Sequence, residues 1–281
     1  MSDLQTLQLH SPGAFIADVR MRDVACHETR DGQPYLQFML EDISGAVPAY
    51  VWREDLHRAC YLQNYSLVRV AGRTRCWNRQ FQIDVDDIRP MAYRHLDDVI
   101  RLLPLSLCPL PMLLPRLQAA LNQITHPALR NFILSVFAND SIAFAFLNVP
   151  ASLNYHHNYP GGLLDHSLEA FAMVERFREL PRDSYEIGLV AILFHDIGKI
   201  QTLSADMQIT SLGCSVEHDK LTLEILAPYL KHLEKEWPEG ARELRCALTW
   251  KLSSQVPTYD IAEIVACCDR LSAGLDRRKA A

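Results

Sequence analysis

A chain of 281 residues, 49% of them hydrophobic, can bury a large core and is long enough for one large domain or two modest ones. Its formal charge of −6 excludes a generally DNA-coating protein but leaves room for a local basic groove. Eight cysteines without any Cys-x-x-Cys spacing argue against a disulfide framework, residues 1–10 lack the pattern of a secretory leader, and Pro104, Pro109, Pro111 and Pro115 break the apolar run over 100–117, so the expectation is a cytoplasmic protein with no membrane span.

The sequence changes character near residue 95. Before it, β-like runs over 14–26, 35–41, 46–52, 67–75 and 81–85 alternate with turn signals such as Asp31-Gly32 and Ser44-Gly45. Inward candidates alternate in Leu36, Phe38 and Leu40, in Val47, Ala49 and Val51, and in Phe81, Ile83 and Val85. A short helix is expected over 54–62, between the third and fourth strands, and that order predicts a five-stranded OB-fold barrel over residues 1–95. On the opposite parity of the fourth strand, Arg69, Arg73, Arg75 and Trp77 lead to Arg79 and Phe81, and Trp52 with Arg53 extends the strip. Such a basic and aromatic strip suits single-stranded nucleic acid, held by charge and stacking. The competing reading is a solvated strand face, with Trp77 covering the barrel end. Asp84, Asp86 and Asp87 lie close by and weaken any phosphate field, so binding by this part alone should be modest and salt-sensitive.

A proline-rich connector is expected over 96–115. From 116 to 281 the pattern is all-α, with helices starting at Met112 and covering 112–124, 128–138, 163–180, 184–197, 218–236, 239–250 and 260–275, which makes the chain a two-part β-plus-α protein. Within these helices His166 shares a stripe with Leu163, Ala170, Met173 and Phe177, and Asp269 shares one with Ala262, Val265, Ala266 and Ala273. His195 and Asp196 sit at the end of a helix whose apolar face is Ile187, Val190, Ala191 and Phe194, with Gly198 as its stop. One histidine in an apolar helix is ordinarily a hydrogen-bonded core residue. Four inward donors from separate segments, His166, His195, Asp196 and Asp269, instead suit a divalent cation, and two imidazoles with two carboxylates favour manganese, iron, cobalt or nickel over calcium. Water on such an ion, lowered in pKa, is a nucleophile for phosphorus.

His166, then His195-Asp196 within Phe-His-Asp-Ile-Gly-Lys, then Asp269 resemble the signature of the HD superfamily of metal-dependent phosphohydrolases, whose fold is a helical bundle. The stretch His156-His157-Asn158-Tyr159-Pro160-Gly161-Gly162-Leu163-Leu164-Asp165-His166 is similar to that of YhaM-type 3′-to-5′ exoribonucleases, which also carry an OB-fold ahead of the HD domain. With Pro150-Ala151-Ser152 before it, the same stretch is similar to the HD domain of conjugative relaxases. The resemblance implies a hydrolase that shortens single-stranded RNA, or DNA, from its 3′ end. Dinuclear members add histidines for a second metal. His218 fits one such position, but Trp250 and Lys251 stand where a further histidine pair is expected, so one ion is the preferred state and His218 becomes a substrate or supporting group.

For a phosphodiesterase, Lys199 is a candidate to hold a non-bridging phosphate oxygen, or else merely neutralises a helix C-terminus. His156 and His157 are candidate proton donors or phosphate contacts, Lys251 is a substrate cation or a solvated helix residue, and the segment 201–215 is a candidate flap. Two alternatives remain open at this level: a nucleotide phosphohydrolase whose barrel makes protein contacts, and a nucleic-acid-binding or conjugation-related module with a degenerate HD site.

Overall fold

The computed structural model describes residues 12–52, 63–251 and 256–279. Alternating apolar residues produce strands β1 (Gly13–Glu28), β2 (Pro34–Asp42), β3 (Gly45–Trp52), β4 (Leu67–Trp77) and β5 (Gln80–Pro90). They close into a barrel in the order β1-β2-β3-β5-β4, antiparallel throughout except for the parallel β3–β5 seam, which is OB-fold topology. Arg53 and the helix expected over 54–62 lie outside the described residues.

Leu36, Phe38, Leu40, Val47, Ala49 and Val51 all point into the barrel, as the pleat requires. Phe81, expected inward, is only half-buried: it pairs with Cys76 beside the β4–β5 turn, where the barrel interior gives way to solvent. A register shift at Ala71/Gly72 then brings Ile88 inward three residues after Val85, so β5 runs five residues further than its first alternating run suggests.

The segment expected to be a connector begins with helix α1 (Leu96–Arg101), whose Leu96, Val99 and Ile100 are buried. Arg20, fully buried, donates to the carbonyls of Leu102 (2.6 Å) and Tyr65 (2.5 Å) and to the Tyr93 hydroxyl. Arg101 donates to the Asp18 carbonyl at 3.0 Å. A buried guanidinium is tolerable only with its donors satisfied, and here that requirement fastens residues 93–102 to the barrel. Contacts divide the chain into two units, 1–106 and 107–281.

The second unit is helical: α2 (Leu113–Leu121), α3 (Pro127–Phe137), α4 (Asp140–Asn148), α5 (Gly162–Val174), α6 (Arg182–Phe194), α7 (Lys199–Thr202), α8 (His218–Glu236), α9 (Pro238–Thr249) and α10 (Asp260–Lys279). Its centre is an aromatic cluster of Phe132, Phe137, Phe146 and Phe194, with ring centroids 5.5 to 6.1 Å apart. Helix α4 was not expected from the sequence. Asn139 caps it by accepting from the Ser141 N–H at 3.2 Å. Helix α5 stops at Val174 rather than near 180, leaving Met173 half-buried and Phe177 exposed. The seven described cysteines are all unpaired, and no single helix among the described residues is long and apolar enough to cross a membrane.

Candidate metal centre

Two glycines bring the ligand-bearing segments together. A Cβ at Gly162 would lie 2.1 Å from the His157 carbonyl oxygen, so only glycine lets the histidine loop lie on the first turn of α5. His166 follows one turn later with no exposed surface. Gly198, expected as the stop of the helix that carries His195 and Asp196, has φ −57° and permits close packing. A Cβ there would lie 1.9 Å from the His218 carbonyl oxygen. The Thr222 hydroxyl completes the junction, donating to the His195 carbonyl at 3.0 Å and accepting from the Gly198 N–H at 3.2 Å. The start of α8 is thereby held against the His195-Asp196 turn.

The four expected ligands converge. His166 Nε2 lies 3.3 Å from His195 Nε2, 3.5 Å from Asp196 Oδ2 and 3.3 Å from Asp269 Oδ1, and His195 Nε2 lies 3.4 Å from Asp196 Oδ2 and 3.2 Å from Asp269 Oδ1. Ligands about 2.1 Å from a common ion are separated by about 3.0 Å at octahedral angles and about 3.4 Å at tetrahedral ones. The spacing therefore fits a first-row divalent cation. Hydrogen bonding on the far side of each ring agrees. His195 Nδ1 meets the Ile192 carbonyl at 2.7 Å and so carries its proton there. The Ser272 hydroxyl donates to Glu169 at 3.0 Å, which leaves its oxygen to accept from His166 Nδ1 at 3.4 Å. Both Nε2 lone pairs then face the same point.

Electrostatics follow from this packing. Burial works against charge on His195, yet Asp196 and Asp269 overcome it and push the imidazole up to about 10. Both carboxyls are held well below their ordinary range in spite of burial, Asp196 by Lys199 and His195 and Asp269 by His195 and His166. The two carboxylates are thus balanced by the His195 imidazolium and the Lys199 ammonium. Asp269, expected inward, keeps 42% of its side chain exposed because it faces an open cavity of about 690 Å³.

The other candidate residues are distributed unevenly around this centre. Lys199 Nζ is buried 2.5 Å from Asp196 Oδ2. His218 Nε2 lies 3.1 Å from the other carboxylate oxygen, Asp196 Oδ1. His156 lines the cavity with its ring centroid 5.0 Å from that of His166, and burial together with His166 lowers its pKa to about 4. His157 is turned toward Glu169 at 3.5 Å and lies behind His166. Trp250 and Lys251 both line the cavity. In the segment after α7, the expected flap residues make an isolated bridge, Leu203 to Ile209.

On the barrel, Arg73, Arg75, Trp77 and Arg79 are exposed, and Trp77, at 62%, stands out in solvent instead of covering the barrel end. Carboxylates answer the arginines: Asp18 binds Arg69 at 2.6 Å, Asp86 lies 3.9 Å from Arg73, and Asp84 lies 3.3 Å from Arg75. Beside them the expected strip residue Trp52 forms an aromatic ladder with Tyr35 and Tyr50, neither of which was expected there, with centroids 5.0 to 6.2 Å apart. The outward parity of Tyr50 and Trp52 between Val47, Ala49 and Val51 was the available signal. Asp219 and Ser272 were also missed. Ser272 lies three residues after Asp269 on its helix, the spacing that places both near His166.

Residues 163–274 match the family model described as HD domain. The "3′-5′ exoribonuclease YhaM" of Shouchella clausii is 26% identical over 218 residues, covering 74% of this chain and 66% of its own length. That of Bacillus subtilis is 24% identical over 181 residues (62% and 55%), and that of Oceanobacillus iheyensis 24% over 217 residues (75% and 67%). The chain thus spans between 55 and 67% of the length of these relatives. Among solved structures, a mitochondrial single-stranded DNA binding protein from S. cerevisiae aligns with 29% of this chain and 97% of its own at 13% identity and TM-score 0.26. A replication protein A heterotrimer chain aligns with 32% of this chain and 77% of its own at 19% identity and TM-score 0.26. With the four donors on the matched residues and in one cluster, the helical unit contains an HD domain.

Proposed function

We propose that this protein is a metal-dependent phosphodiesterase that shortens single-stranded RNA, or DNA, from the 3′ end. The observation that carries the reading is the convergence of His166, His195, Asp196 and Asp269 beside an open cavity, with each histidine Nε2 3.2 to 3.5 Å from the other and from Asp196 Oδ2 and Asp269 Oδ1. A divalent ion held by these groups would polarise a phosphoryl oxygen and lower the pKa of water. The chain's own residues do the rest. Lys199 and Arg270 border the cavity and offer charge to non-bridging phosphate oxygens. His156, kept neutral by burial, offers a lone pair to a proton at the reacting centre. Tyr35, Tyr50, Trp52 and Trp77 on the barrel offer rings to bases. The activity for which the relatives are named, 3′-5′ exoribonuclease, supports RNA as the substrate and the 3′ end as the point of attack. The unpaired thiols suit a reducing compartment such as the cytoplasm.

One observation favours a second reading. Because the barrel arginines are answered by aspartates, the barrel is a weak phosphate binder, as in a nucleotide phosphohydrolase whose barrel serves another contact. A single-stranded oligonucleotide labelled at either end, incubated with manganese, separates the two. The account predicts stepwise shortening of the 5′-labelled strand, immediate release of label from the 3′-labelled one, and a loss of at least about 10³-fold in His195→Ala and Asp196→Ala. Intact strands alongside hydrolysed nucleotides would contradict it.

A further inference from the structure

The cavity beside the four donors is larger than a phosphate requires, and its walls are of two kinds. At about 690 Å³ it lies in the range that takes a whole small molecule. One side carries the cluster with Lys199 and His218, and there Asp219, 3.1 Å from His218 Nε2, is ion-paired with Lys251. The other side is apolar: Leu223 of α8, Leu248 of α9, Val265 of α10 and the Trp250 indole just past the end of α9. Val265 stands four residues before Asp269, so on one stripe of α10 the wall changes from ligand to hydrocarbon within a single turn. Leu223, Leu248 and Trp250 are only half-buried, and apolar surface left wet at a cavity is stabilised by whatever covers it. Trp250 is held in place. Its backbone N–H donates to the Cys246 carbonyl at 2.9 Å, and its indole N–H donates to Glu263, six residues before Asp269 on α10. The N–H edge is thereby engaged, and the remaining surface of the indole is hydrocarbon and π-face. Six residues of helix amount to about 9 Å along the axis, comparable to the reach from a nucleotide's phosphate to the far edge of its own base.

We infer that the apolar wall is a nucleobase site: Trp250 stacks on the base of the 3′-terminal nucleotide, Leu223, Leu248 and Val265 pack around it, and the 5′-phosphate of that nucleotide lies at the four donors. The inference deepens the proposed function and rests on it for the position of the phosphate. The terminal base suits a walled recess better than an internal one, because an internal nucleotide must let the strand out at both of its ends. Stacking is tolerant of sequence, since every base has a π-face, and the apolar side chains offer nothing to hydrogen-bond a base edge, so the site registers that a base is present and not which one. A base seated there fixes which phosphodiester reaches the cluster, and so sets the step of shortening at one nucleotide.

The test compares adenosine 5′-methylenephosphonate with ribose 5-methylenephosphonate, two hydrolysis-resistant ligands that differ only in the base. Their affinities are measured by calorimetry with manganese on the full chain, on Trp250→Ala and on Trp250→Phe. The unmodified chain should bind the adenosine compound about 5- to 150-fold more tightly than the ribose compound, the range that stacking one base on an aromatic side chain supplies. Trp250→Ala should bind both alike, with its affinity for the ribose compound unchanged, and Trp250→Phe should keep most of the preference. Equal affinities on the unmodified chain, a preference retained by Trp250→Ala, or a preference lost from Trp250→Phe would each overturn the inference. The comparison on the unmodified chain does not depend on how any variant folds, and an equal loss of both ligands in Trp250→Ala would assign the indole a structural role instead. Labelled oligonucleotides ending in a normal or a stable abasic residue complete the test. Intact strands together with a base preference overturn the proposed shortening and leave the nucleobase site standing, whereas strands shortened equally fast at either terminus, without a base preference, do the reverse.

Discussion

Two unprotonated imidazole nitrogens 3.3 Å apart, flanked by two carboxylates, are tolerable only if a proton or a cation sits among them. With no metal, the proton goes to His195, which is why the carboxylates push its pKa up to about 10. The Ser272 hydroxyl decides where His166 keeps its own proton, by presenting an acceptor to Nδ1. Replacing Ser272 by Ala should weaken manganese binding about 10- to 100-fold in calorimetry, and an unchanged affinity would show that this hydroxyl does not orient the ligand. His156 offers a second check. Burial and the neighbouring His166 lower its pKa to about 4, so it is uncharged from pH 5 upward and acts through its lone pair, not as a phosphate-binding cation. An NMR titration of its ring should show a midpoint near 4, whereas a midpoint near 6.5 would contradict the buried placement.

Helix α6 carries the ligand pair at one end and is fixed at the other by Glu186, a fully buried carboxylate. It accepts from the Thr125 and His126 N–H groups at 2.8 and 2.7 Å, from the Thr125 hydroxyl at 2.7 Å and from Arg182 at 2.5 Å. Burial alone would raise its pKa, but these donors reverse the sign. A depressed folded-state pKa gives stability that is present above the unfolded value and is lost as pH falls through the folded one. Glu186→Gln should therefore cost about 1.5–3 kcal/mol at neutral pH and flatten the acid limb of the stability curve, read by denaturant unfolding across pH. An unchanged acid limb would contradict this. Gly198→Ala tests the other end, forcing the start of α8 away from the His195-Asp196 turn, at about 1–3 kcal/mol and with displacement of His218. Most of these helices were legible from apolar periodicity, α8 over its full 218–236 span. What was not legible depended on contacts distant in sequence. Only two residues separate α3 from α4, and the end of α5 and the conformation of Gly198 are set by what packs against them.

The whole chain is mildly acidic, and its barrel shows how a basic strip in sequence becomes a nearly neutral one in space: β5 sets Asp84 and Asp86 beside Arg75 and Arg73. Stacking rather than charge should dominate binding there. Trp52→Ala or Trp77→Ala should each weaken single-strand affinity by about 1–3 kcal/mol with little change in salt slope. A loss confined to low salt would assign the binding to charge instead. The strand order of the barrel and the four principal donors were readable because each announces itself locally, by alternation or by an ionisable residue in an apolar helix. Asp219 was not, since its position next to His218 acquires meaning only once Asp196 and Lys251 are placed around it. The central claim is that His166, His195, Asp196 and Asp269 share one ion. Anomalous diffraction at the manganese edge from crystals soaked in manganese tests it most directly. The account predicts a peak about 2.0–2.2 Å from both Nε2 atoms and from one oxygen of each aspartate. A peak outside this cluster, or none with the four groups drawn apart, would contradict it.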